Sequence, residues 1–180
     1  MDSPAAPLAA PQLLAALRRG DGEALATVYR EHAPALLRSV GAVLGEPGDA
    51  EDVVHDLFVG LPEAMARYEE RGAFGGWLRR IGMRMALTRL RSRERRLEVP
   101  LDVVNEPGGA PDGDRLPDRL LVEAALAELP EESRIVVVLR DLEGWSYRDI
   151  AEFVGASEGT VMTRHCRAMQ RLKSALEELR

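Results

Sequence analysis

Met162, Thr163, Cys166, Arg167 and Gln170 fall on one face of a helix when successive positions are turned by about 100°, and Arg164 and Arg171 flank that face. The face offers hydrogen-bonding groups and positive charge, and the guanidinium of Arg167 at the centre can fork onto a polar edge. The residues that must hold such a face in place lie just before and within it. Ile150, Ala151 and Val154 form the buried side of a first short helix, Gly155 permits a tight turn, and Ser157 caps the next helix with Glu158 in its first turn. Val161, His165, Ala168 and Leu172 then point inward. The stretch from Trp145 to Leu172 therefore reads as a helix-turn-helix that presents its second helix to the major groove of DNA. An ordinary helical hairpin with a solvated basic side is the plain alternative.

A second basic row lies upstream. From about Phe74 the pattern is helical, with Trp77, Leu78, Ile81 and Met85 expected on a core face. Arg80, Arg84 and Arg91 share the other side, with Thr88 and Arg95 close by. Such a row can follow a phosphate backbone or reach bases, and ten arginines between positions 67 and 96 exceed what solubility needs. Tyr68, Phe74 and Trp77 read as packing residues. Before this helix, Asp49, Glu51 and Asp52 open another with acids in its first turn, and Val53, Val54, Leu57, Phe58 and Leu61 make its apolar stripe. Taken alone, those acids are equally well explained as complement to the helix dipole. His55 is isolated, and nothing converges on the carboxylates to suggest catalysis.

The formal net charge is −6 over 180 residues, but it is unevenly spread. Residues 67–96 carry +7 and residues 157–173 carry +3, which leaves −16 for the remainder. Two basic patches on an acidic body imply two DNA contacts, with the acidic parts left for protein partners or solvent. One cysteine, Cys166, excludes an internal disulfide, and no Cys/His cluster has metal-ligand spacing, so no metal or other cofactor is expected. No apolar run is long enough to span a bilayer. The first twenty residues hold three prolines and no basic leader, and read as a flexible tail leading into a short helix, not a signal peptide. A cytoplasmic protein without membrane insertion is the expectation.

The fold expected is all-α, with two small helical domains at residues 21–96 and 120–180. Short loops are expected at residues 45–48 and 70–72. Between Glu98 and Asp118 stand four prolines, three glycines and six acids against Arg115 alone, so residues 97–119 read as a flexible acidic linker.

The order of these motifs resembles bacterial RNA polymerase sigma factors of the compact extracytoplasmic-function group. VYREHAPALLRSVGAVLGEPGDAEDVVHDLF is similar to the family's first conserved region and core-binding helix, and ARYEERGAFGGWLRRIGMRMALTRLRSRERR to its melting and −10 region. ALAELPEESRIVVVLRDLEGWSYRDIAEFVGASEGTVMTRHCRAMQRL is similar to its −35-binding domain, and the likeness runs from about residue 22 to 176.

The resemblance implies a transcription-initiation subunit with no active site of its own, whose partners are core RNA polymerase, promoter DNA and an anti-sigma factor. It places Asp49, Glu51, Asp52, His55, Asp56 and Phe58 on the helix that docks on polymerase. Arg80, Arg84, Thr88, Arg91 and Arg95 fall in the −10 segment. Met162, Thr163, Arg164, Cys166, Arg167, Gln170 and Arg171 belong to the −35 reading helix. There are departures from type. His55 replaces a usual glutamine, Arg84 and Thr88 stand where asparagine and aspartate are typical, Met162 replaces a commonly basic residue, and His165 occupies a normally apolar position. A sigma-like decoy that occupies an anti-sigma factor without touching promoters is the second reading, and a plain helix-turn-helix regulator the third.

Overall fold

Several helix ends among the described residues are set by short polar caps and by glycines with positive φ. Asp21 accepts the Ala24 N–H at 2.9 Å and so starts a long helix, which ends at Gly45, whose φ of +76° suits a residue without Cβ. Pro47 opens the next helix at a position where its missing N–H costs nothing. A computed structural model describes residues 10–69, 73–97 and 117–178, and every regular element among them is helical.

In order these are α1 (Ala10–Arg18), α2 (Gly22–Leu44), α3 (Pro47–Ala64), a 3-10 turn (Met65–Arg67), α4 (Phe74–Leu97), α5 (Pro117–Ala127), α6 (Glu131–Val137), a π-helical turn (Val138–Leu142), α7 (Tyr147–Val154) and α8 (Glu158–Glu178). Contacts divide the chain into two units, Met1–Leu37 with Glu51–Val99, and Arg38–Ala50 with Pro100–Arg180.

In the first unit Val28 and Leu36 of α2, Val54, Leu57, Phe58 and Leu61 of α3, Met65 of the turn, and Leu78, Met83, Ala86, Leu87 and Leu90 of α4 are buried. Each fully buried Leu or Met contributes about 1.5–3 kcal/mol relative to an exposed one. The short helix expected at the end of the first twenty residues is α1, which buries Leu14, Ala16 and Leu17, and its Arg18 donates from Nη2 to the Tyr68 carbonyl at 2.9 Å. One expectation needs correction here. The core face of α4 lies further round the helix, through Gly82, Met83, Ala86 and Leu90, while Trp77, Ile81 and Met85 are half-buried at its edge. Gly82 and Ala86 are buried there although bulkier apolar residues stand beside them.

In the second unit Leu126 of α5, Leu129 just after it, Val136 of α6, Val138 and Leu139 of the π-helical turn, Trp145, Ile150 of α7, and Val161, Ala168 and Leu172 of α8 are buried. Trp145 meets Phe153 edge-on, with centroids 4.9 Å apart. The linker expected over 97–119 lies outside the described residues except at its ends, where Leu97 still belongs to α4 and residues 117–119 already belong to α5. The loop at 70–72 is likewise outside them. The loop at 45–48 is shorter than expected, since Pro47 is already helical.

Candidate nucleic-acid interface

The helix-turn-helix is built from two caps around one glycine. The Ser146 hydroxyl accepts the Asp149 N–H at 3.0 Å and starts α7; the Ser157 hydroxyl accepts the Thr160 N–H at 3.1 Å and starts α8. Between them Gly155 has φ +73°, and the Ala156 N–H closes back on the Ala151 carbonyl at 3.0 Å. Ile150 and Ala151 are buried as expected, and Val154 is half-buried.

On α8, Met162, Thr163, Cys166, Arg167, Gln170 and Arg171 are exposed together. Thr163 donates its hydroxyl proton to the Gly159 carbonyl at 2.8 Å. Arg167, Gln170 and Arg171 also border a groove against Ala125 of α5 and the Glu128 and Leu129 that follow it. Arg164 differs from its neighbours, because it is half-buried and pairs with Glu132 at 2.6 Å, which braces α8 against the first turn of α6.

His165 is held on both sides. Nε2 donates to the Asp141 carboxylate at 2.9 Å, so in the neutral ring Nδ1 accepts from the Tyr147 hydroxyl at 3.0 Å. Arg140 lies over the Tyr147 ring at 4.5 Å and donates to the Trp145 carbonyl at 2.7 Å. A polar side chain at an inward position is thereby satisfied, and the π-helical turn, α7 and α8 are tied together.

On α4, Arg80, Arg84, Thr88, Arg91 and Arg95 are all exposed along one side, opposite the core face. Thr88 donates to the Arg84 carbonyl at 2.9 Å. At the start of α4, Phe74, Trp77 and Tyr68 form one aromatic cluster, with Tyr68 and Trp77 centroids 4.6 Å apart, which accounts for them as packing residues. His32 of α2 packs edge-on to Phe74 at 5.7 Å. Burial holds its imidazole below the ordinary range, with Glu31 opposing and Arg79 reinforcing that effect.

On α3, Glu51, Asp52, His55 and Asp56 are exposed and Asp49 is half-buried. Phe58 is 4% exposed and packs edge-on against Tyr29 at 4.8 Å, so it supports the helix from below and cannot itself meet a partner. Two residues enter this region that the motif reading omits. Val59 is 67% exposed on the same side as Asp52, His55 and Asp56, and Arg89 of α4 reaches Asp52 at 3.0 Å. Helical spacing from Asp56 places Val59 on that face; nothing in the sequence alone pairs Arg89 with Asp52. Among the described residues no cluster of His, Cys, Asp and Glu is disposed to hold a metal ion, and no helix is long and apolar enough to cross a membrane.

These features define a helical protein with two basic helices and an acidic one. The sigma-70 region 2 family model matches residues 28–96 and the sigma-70 region 4 model matches residues 119–172. The ECF RNA polymerase sigma factor SigE of Mycolicibacterium smegmatis is 36% identical over 155 residues, which cover 83% of this chain and 60% of that protein. SigM of Mycobacterium tuberculosis is 33% identical over 168 residues, covering 92% of this chain and 83% of SigM. The chain thus spans less than two thirds of SigE but most of SigM. Among solved structures, the sigma factor RpoE in complex with the anti-sigma factor NepR from Bartonella quintana is 25% identical with a TM-score of 0.66, over 84% of this chain and 95% of that one. CnrH in complex with the cytosolic domain of CnrY is 27% identical with a TM-score of 0.59, over 93% and 96%. This chain belongs to the extracytoplasmic-function sigma factors of the sigma-70 family.

Proposed function

We propose that this chain binds core RNA polymerase, directs it to particular promoters and helps open them, with no reaction of its own. The observation that carries this reading is the order of exposed faces on one chain: acids on α3, an arginine row on α4, and a capped helix-turn-helix ending in α8. That order follows the two family regions matched at 28–96 and 119–172.

In this reading residues 21–96 act as the polymerase- and −10-binding domain, 97–119 as the linker, and 120–180 as the −35-binding domain. Glu51, Asp52, His55 and Asp56, with Asp49 at their edge, meet polymerase. Arg80, Arg84, Thr88, Arg91 and Arg95 face the strand being opened, from which an unstacked base can be captured. Met162, Thr163, Cys166, Arg167, Gln170 and Arg171 read the upstream duplex, while Arg164 steadies their helix. The site of action is the cytoplasm, where the polymerase is. Because RpoE of Bartonella quintana was crystallised with an anti-sigma factor, we extend a partner of that kind to this chain. A decoy needs neither arginine row, and a plain regulator leaves residues 28–96 without work.

Reconstitution tests this. The chain added to core polymerase is expected to start run-off transcripts at defined sites on fragmented genomic DNA, while the chain alone binds duplex only in the non-specific range of about 10⁻⁴ to 10⁻⁶ M. Tight sequence-specific binding by the free chain, with no transcripts from the reconstituted enzyme, overturns the proposal in favour of a regulator.

A further inference from the structure

Met162, Cys166 and Met169 recur at i, i+4 and i+7 on α8, so three sulfur side chains form a row within about 60° of one another. None belongs to the core: Met162 is 49% exposed, Met169 is 43% exposed, and Cys166 is exposed. The row occupies one flank of the outward face. Arg167 and Arg171 hold the other, beside the groove with α5, and Thr163 and Gln170 lie between. Because Thr163 gives its hydroxyl proton to the Gly159 carbonyl, its methyl group and oxygen lone pairs are what it has left to offer outward.

An exposed soft row on a soluble helix calls for an apolar partner, yet the flanking arginines and the positive N-terminal end of α8 favour a polyanion. One surface meets both demands. Within the major groove, the apolar group that a base pair presents is the C5 methyl of thymine, and unbranched methionine adapts to it well. Met162 lies in the second turn of α8 and Cys166 in the third, the part of a reading helix that reaches base edges.

We infer that Met162 and Cys166 read thymine methyl groups in the upstream promoter element, while Arg167 supplies the polar contact beside them. This rests on the promoter reading proposed above.

The test uses the holoenzyme, formed from the full chain and core polymerase, with two duplex libraries randomised across the upstream element. The libraries differ only in carrying thymidine or deoxyuridine, so one lacks every C5 methyl. Holoenzyme with the natural chain is expected to enrich thymine at one or two positions, and to lose about fourfold of that preference per methyl in the deoxyuridine library. Met162→Ala and Cys166→Ser are each expected to narrow the difference between the libraries, with helical content unchanged. Met162→Lys is expected to remove its share of the methyl preference and to steepen the salt dependence by about 0.9 in log–log slope. Equal enrichment from both libraries by the natural holoenzyme overturns the inference while leaving the promoter reading intact. If Met162→Ala reduces holoenzyme formation but not base preference, the row docks a protein and the inference is wrong. Enrichment from neither library by a properly assembled holoenzyme defeats the promoter reading itself, and this inference with it.

Discussion

Replacing Asp52 by lysine is expected to do two separable things, because its carboxylate serves both Arg89 and the face proposed for polymerase. The Arg89 to Asp52 pair is 3.0 Å long, with side chains 40% and 64% exposed, so solvent screens it heavily. A pair of that kind contributes about 0.2–1 kcal/mol, and reversing one charge adds repulsion of similar size. The chain should therefore lose no more than about 2 kcal/mol, which lowers its melting temperature by a few degrees. If the same carboxylate is desolvated against polymerase, losing it costs about 2–5 kcal/mol of binding, or roughly 30-fold or more in affinity. Asp56→Lys separates the two effects: Asp56 is exposed and makes no ion pair with a described residue, so stability should stay within about 0.5 kcal/mol while assembly falls. The charge exchange Asp52→Arg with Arg89→Asp should restore stability without restoring assembly. Thermal denaturation of the free chain and gel filtration with core enzyme read the two quantities. Normal assembly of folded Asp52→Lys, or recovery of assembly by the exchange, would show that Asp52 merely holds Arg89.

Tyr147→Phe deletes the hydroxyl that His165 Nδ1 accepts and keeps the ring beneath Arg140, so chemical denaturation should show a loss of about 0.5–1.5 kcal/mol; an unchanged midpoint refutes the bracing role. Arg167→Ala should cost about 1–3 kcal/mol of promoter binding and relax preference at one upstream base pair, whereas Arg84→Ala should spare upstream binding and impair opening. Permanganate footprinting on one promoter decides this, since equal melting defects in both variants contradict the division of labour. Burial depresses the His32 pKa below the unfolded value of 6.5, so the unfolded chain takes up its proton first as pH falls. The stability contribution is complete above pH 6.5 and is lost as pH drops through the folded value. Unfolding free energy measured from pH 7.5 to 5 should fall more steeply in the natural chain than in His32→Gln, and parallel curves refute the assignment.

What the sequence reveals and what it hides follows from the range of the forces involved. Caps and glycine turns act over three or four residues, so Ser157, Gly155 and the outward face of α8 can be read directly. The α3 stripe is legible too, because Val54, Leu57, Phe58 and Leu61 allow one buried face only. On α4 arginines alternate with apolar residues closely enough that several core faces fit, and no local signal selects the one through Gly82, Met83, Ala86 and Leu90. The short helix α1 can be expected from the sequence, but the burial of its Leu14 and Leu17 is announced by no local signal. Arg89 with Asp52, Arg164 with Glu132, and His165 with Asp141 and Tyr147 each join different elements, so their pairing depends on how helices are rotated against one another. The same dependence explains why the departures from type cannot be judged by position. His165 looks misplaced on a helical wheel, yet in three dimensions it replaces apolar packing with two hydrogen bonds that fix the roll of α8. A rotation of α8 by about 40° would bring Gln170 to where Cys166 stands, so in the proposed reading the residues that hold its roll govern promoter choice as directly as those that face the groove.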